Sequence, residues 1–196
     1  MSQASGTLDR PQGAVPPLLF GTILFLASET LFFGGLFATY FTLRSETDPW
    51  PPSGVDLDVW LVSVATVLLV VSSFTLQAGI VRARAGNLEG LRGWVLASIA
   101  LGVVFLGIQV FDWIHLWDGT GFRVSSNAYG TVYYAMTGFH ALHVIAGLLL
   151  MLVTLGRLAQ GAYRDGRIEG AEAIAYYWHF VDVVWIGLFA TIFLLK

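Results

Sequence analysis

The chain has 196 residues, no cysteine, 56% apolar and 12% charged residues, a mean hydropathy of +0.72 and a formal net charge of -3 at pH 7. That balance lies outside the range of a water-soluble domain, and the lack of cysteine excludes disulfides, thiolate metal sites and thiol catalysis. The small net charge is spread over the polar clusters, which excludes both a basic stripe for nucleic acid and an acidic solvating tail.

Residues 1–16 are polar, carry proline and glycine, and lack the basic segment and small-residue cleavage site of a removed leader, so they read as an N-terminal tail. Apolar runs of spanning length follow. They predict helices at about 17–43, 58–81, 91–117, 129–156 and 172–195, all in one transmembrane domain, 17–196. The fold class is therefore all-α, a polytopic bundle of five transmembrane helices. The first helix carries Glu29 about 12 residues in, roughly 18 Å along its axis, in the run from Ala27 to Phe33. The loop after it, with Pro49, Pro51, Pro52, Glu46, Asp48 and Asp56, is too polar for hydrocarbon and reads as a short structured turn around Trp50. The loops after helices two and four, Arg82 to Gly90 and Arg157 to Gly170, hold Arg82, Arg84, Arg157, Arg164 and Arg167 and read as the basic loops. Helix three places Gln109, Asp112 and His115 at successive steps of three towards its far end, a possible outer-side polar cluster. Helix four carries His140 and His143 on one face, with Thr137 a turn before them, and helix five carries His179 and Asp182 at the same spacing. Lysines and arginines divide seven to three. Arg10, Arg82, Arg84, Arg92, Arg157, Arg164 and Arg167 fall on one side, and Arg44, Arg123 and Lys196 on the other. The positive-inside rule then puts the N-terminus in the cytoplasm and the C-terminus outside.

Ionisable groups inside a membrane are expensive unless neutral, paired or wetted, so function is sought in them first. Glu29, His140, His143, His179 and Asp182 lie at comparable depth on helices one, four and five, and are expected to converge into one buried polar layer. Imidazole and carboxylate are also ordinary transition-metal ligands, and proton or ion passage is a third reading of the same residues. The plain reading is hydrogen bonding between helices, with no metal and no catalytic residue. Most of the aromatic residues near helix ends fit an interfacial belt. Trp178 and Trp185, seven apart on helix five, fit either a lipid-facing surface or helix packing.

Three stretches together resemble haem–copper oxidase subunit III. They are Ser28-Glu29 followed by Phe32-Phe33-Gly34, the run from Thr137 to Val144, and the run from Tyr177 to Trp185. The likeness extends through Ser72-Ser73-Phe74-Thr75 and Gly102 to Leu116, and its length and five spans are similar to the short bacterial form. Glu29 matches the family's membrane-buried, carbodiimide-reactive glutamate. Where many members have Gln-x-x-Glu-Tyr, this chain has Gln109-Val110-Phe111-Asp112-Trp113, an acid one methylene shorter.

The resemblance implies a subunit of a proton-pumping oxidoreductase in a bacterial inner membrane that holds no redox centre. Haem and copper would reside in the partner subunits I and II, with cytochrome c an indirect partner and phospholipid bound between helices. Four histidines and no cysteine agree with a chain that is no haem or copper carrier. A quinol-oxidase subunit, an accessory subunit of a nitric oxide reductase and an independent ion or solute carrier remain as alternative readings.

Overall fold

The computed structural model describes residues 16–55 and 57–195; the predicted tail before Pro16, Asp56 and Lys196 lie outside the described residues. Five helices are present: α1 Pro17–Glu46, α2 Val59–Arg84, α3 Leu88–Thr120, α4 Ala128–Ala159 and α5 Glu169–Phe189, the last running into a π-helical turn, Ala190–Leu194. All five regions are long and apolar enough to cross a membrane.

Most of these helices run up to about a turn beyond their predicted ends, and the physical reason is local. Polar residues at a span's end leave the hydrocarbon without leaving the helix, and caps then satisfy its free backbone groups. Asp58 accepts from Leu61 N–H at the start of α2, Asn87 from Gly90 N–H at the start of α3, and Asn127 from Gly130 N–H at the start of α4. Arg82, Arg84 and Arg157 consequently sit in the last turns of α2 and α4, where a cation opposes the helix dipole favourably, and not in loops. The turn between α2 and α3 shrinks to residues 85–87. Gly86 adopts φ 79, a conformation glycine enters without steric cost, and Asn87 N–H closes back onto the Arg82 carbonyl at 2.9 Å.

That tight hairpin makes α2 and α3 the most extensively packed pair. Gly79 lets α2 approach the Trp94 Cβ of α3, and the hydroxyls of Thr75 and Ser98 bond across the seam at 2.7 Å. α5 packs against α1, α2 and α4, while α3 closes the ring between α2 and α4. Helix α1 is the loosest element. It touches α4 and α5, buries only Phe33 and Tyr40, and turns a broad apolar face outward. At its far end Tyr40 donates to the Thr191 carbonyl at 3.1 Å and accepts from Trp50 Nε1 at 3.0 Å, so the proline-bearing first loop is folded against the bundle.

Lipid tails are as apolar as leucine, so close van der Waals packing and buried hydrogen bonds must hold such helices together. Trp178 supplies both. Its indole is completely buried, and its Nε1 donates to Ser72 Oγ of α2 at 2.9 Å. A methyl group on Gly147 of α4 would stand 2.5 Å from Cε3 of that ring, and one on Gly102 of α3 would stand 3.0 Å from Cη2. Trp185, seven residues on, repeats the arrangement. It donates to Thr66 Oγ1 of α2 at 2.9 Å and packs against Phe105 of α3 and His140 of α4, each at 4.8 Å between ring centres. Of the two readings open for this tryptophan pair, the structure selects helix packing.

Gly147→Ala is expected to destabilise the bundle by about 1–3 kcal/mol through overpacking, whereas Gly107→Ala, with nothing within 4 Å of the added methyl, leaves it unchanged. Thermal unfolding of the two variants in detergent checks the contrast, and equal midpoints contradict the role given to Trp178.

Candidate functional site: paired polar groups inside the bundle

Glu29 and His143 meet where α1 crosses α4, with Oε2 3.0 Å from Nε2. The other ring nitrogen, Nδ1, lies 2.7 Å from the Phe139 carbonyl, which can only accept, so Nδ1 carries a hydrogen. A single proton therefore joins Nε2 to Oε2. Held on the carboxyl it makes a neutral pair; held on the imidazole it makes an ion pair, and in either form both groups are satisfied. Phe33 lies edge-on to the imidazole at 5.0 Å and Phe32 flanks it at 6.3 Å. Tyr177 of α5 donates to the His143 carbonyl at 3.0 Å, so three helices share the corner.

His179 bonds to a different helix. Its Nδ1 lies 2.7 Å from Ser73 Oγ and its Nε2 3.2 Å from Gln77 Oε1, both on α2. The amide oxygen accepts, so Nε2 donates and Nδ1 accepts from the serine hydroxyl, which is the neutral tautomer. Asp182, one turn along α5, lies beside Ser73, yet among the described residues neither of its buried carboxyl oxygens has a hydrogen-bond partner. The serine hydroxyl is already committed to His179.

His140 faces elsewhere again. Residues three apart on a helix are offset by roughly 60°, enough here to turn His143 towards α1 and His140 into the core. There His140 is wholly buried, both ring nitrogens lack a partner, and the ring packs at 4.8 Å on Trp185 and 6.0 Å from Phe105. Among the described residues, Glu29 is thus paired with His143, His179 is tied to α2, and His140 and Asp182 are without hydrogen bonds. These are separate small sites on different helix faces.

The three polar residues of α3 also part company. Asp112 is buried and accepts from Tyr133 Oη of α4 at 2.8 Å, Gln109 is buried with its Nε2 unpartnered, and His115 points outward against Phe111. Sequence reasoning did not single out Ser73, Gln77 and Tyr133 as partners. The available signal was the set of hydroxyl and amide residues within otherwise apolar spans, each of which needs a bonding partner in hydrocarbon. Among the described residues no group of three or more His, Cys, Asp or Glu side chains is placed to hold a metal ion.

Residues 11–196 match the family model for cytochrome c oxidase subunit III. The chain is 41% identical over 198 residues to a probable cytochrome c oxidase subunit 3 of Nocardia farcinica, an alignment covering 100% of this chain and 95% of that one. It is 42% identical to the cytochrome c oxidase subunit 3 of Corynebacterium diphtheriae and 39% identical to that of Thermostichus vulcanus, in each case over 90% of this chain and 87% of the relative.

His143→Leu strands Glu29, and Tyr133→Phe removes the hydrogen bond to Asp112; each is expected to cost about 1–3 kcal/mol. Glu29→Gln still offers Nε2 a hydrogen bond and costs less than His143→Leu. Unfolding midpoints in detergent decide this, and a Glu29→Gln loss equal to that of His143→Leu goes against the pairing.

Proposed function

The chain belongs to the cytochrome c oxidase subunit III family, and from that premise we propose how this multi-pass subunit is oriented and what its buried residues do. It is the non-redox subunit III of a haem–copper respiratory oxidase, a complex that reduces dioxygen and pumps protons with haem and copper held in partner subunits. The match over residues 11–196 carries this reading.

Within the complex the chain packs against catalytic subunit I and its companion subunit II, with cytochrome c as electron donor and phospholipid filling the spaces between helices. The Glu29–His143 pair joins α1 to α4, and the His179–Ser73–Gln77 set joins α5 to α2. Their role is to hold the helices in register and keep the surface offered to subunit I constant. Support comes from the geometry, because both ring nitrogens of His143 and of His179 are bonded within the chain, and Glu29 reaches His143 through Oε2. The N-terminus is cytoplasmic in a bacterial inner membrane. Arg84 and Glu172, joined at 2.8 Å, put the end of α2 and the start of α5 at one face of the bundle, where the basic residues gather.

Affinity purification through a tag on this chain is expected to bring down haem, copper and cyanide-sensitive oxygen consumption. Recovery of the chain free of haem-bearing partners refutes the assignment. Reporter fusions at Gly86 and Gly161 are expected to be active in the cytoplasm, and activity confined to the outer side reverses the orientation.

A further inference from the structure

Away from the buried pairs, a groove of about 430 Å³ opens between the start of α3 and the end of α4, at the arginine-rich end of the bundle. Its rim is charged and its wall apolar. Arg92 and Glu89 of α3 and Arg164 of the following loop stand at the rim, while Leu96 and Leu155 line the wall. Leu96 is seven residues beyond Glu89 on α3, hence roughly 10 Å deeper along the helix. The groove therefore runs from the headgroup level into the hydrocarbon.

Among the described residues the rim charges have no ion-pair partner. Glu89 and Arg92 are three apart on one helix, a spacing that favours an ion pair, yet they form none. Among the described residues neither Arg92 nor Arg164 is ion-paired with any carboxylate. Neighbouring Arg167 behaves differently, with its Nε 2.7 Å from Asp165 Oδ2, a bond that holds the Asp165 carboxyl below the usual carboxylate range. Two open guanidinium groups beside one open carboxylate, over an apolar wall, define a chemistry. A phosphodiester takes the arginines, a primary ammonium takes Glu89, and acyl chains take the leucines.

We propose that the groove between α3 and α4 binds an aminophospholipid of the phosphatidylethanolamine class, with Arg92 and Arg164 on the phosphate and Glu89 on the ammonium. Phosphatidylglycerol offers the same phosphate and the same chains but only neutral hydroxyls to Glu89, where the ammonium offers a charge-assisted bond, so the carboxylate selects between them. The inference deepens the lipid association given above by fixing one place and one headgroup.

The test uses the purified oxidase complex in nanodiscs of equal parts phosphatidylethanolamine and phosphatidylglycerol, with a photoactivatable diazirine on the acyl chain of one lipid at a time. Labelling of the peptides bearing Leu96 and Leu155 is expected to favour phosphatidylethanolamine. Changing Arg92→Gln together with Arg164→Gln lowers that labelling about ten-fold, while labelling around Leu24 of α1 is unaffected. Glu89→Gln keeps the labelling and removes the preference. Equal labelling by the two lipids in the unaltered complex, or labelling indifferent to the arginine changes, overturns the proposal. Labels are read on this chain's own peptides, so failure to co-purify with haem would refute the oxidase assignment and leave the lipid result standing.

Discussion

The insertion of the Trp178 indole between α3 and α4 is the contact on which the bundle depends. A membrane removes the hydrophobic effect as a force between helices, leaving packing density and hydrogen bonds to do the work. An indole in the core is usable only if its N–H finds an acceptor and its ring finds room. Ser72 of α2 provides the acceptor, and the missing side chains of Gly102 and Gly147 provide the room. One residue of α5 thereby reads the positions of three other helices at once. Trp185 does the same a little further along, using Thr66, Phe105 and His140.

Polar satisfaction in this chain is pairwise and local. Glu29 answers His143, Asp112 answers Tyr133, and His179 answers Ser73 and Gln77. Each set joins two helices. An unpaired acid in hydrocarbon is costly, so a pair of this kind fixes rotation and depth even where it adds little net stability. This matters most for α1, which has few buried side chains and is otherwise held by packing along one side and by the Tyr40 hydrogen bond at its far end. A glutamate bonded to a histidine gives that loose helix a definite register.

For a member of the subunit III family in the role proposed above, these features bear directly on function. In that proposed role its contribution to an oxidase rests on presenting a fixed surface to partner subunits and to lipid. The inner part of the bundle, built by α2, α3, α4 and α5, is dense and locked by tryptophans. The outer faces of α1, α3 and α4 are apolar and open, as surfaces destined for lipid or for other subunits must be.

The sequence by itself determined the five spans and the family, because hydropathy over a spanning length and runs such as Thr137 to Val144 are local properties of the chain. It marked the acids and histidines within the spans as groups that call for partners, although among the described residues His140 and Asp182 have none. Helix ends were misplaced by up to about a turn, because Arg82, Arg84 and Arg157 look like loop residues in composition while their backbones remain helical. Only the tertiary structure decided which partner each group takes. Depth along a helix is additive in residue number and legible, but the direction a side chain faces depends on the rotation of every helix about its axis. That rotation is set by distant contacts such as Trp178 with Gly147. His140 and His143, adjacent in spacing and alike in chemistry, therefore went to opposite fates, one packed dry against Trp185 and the other bonded to Glu29.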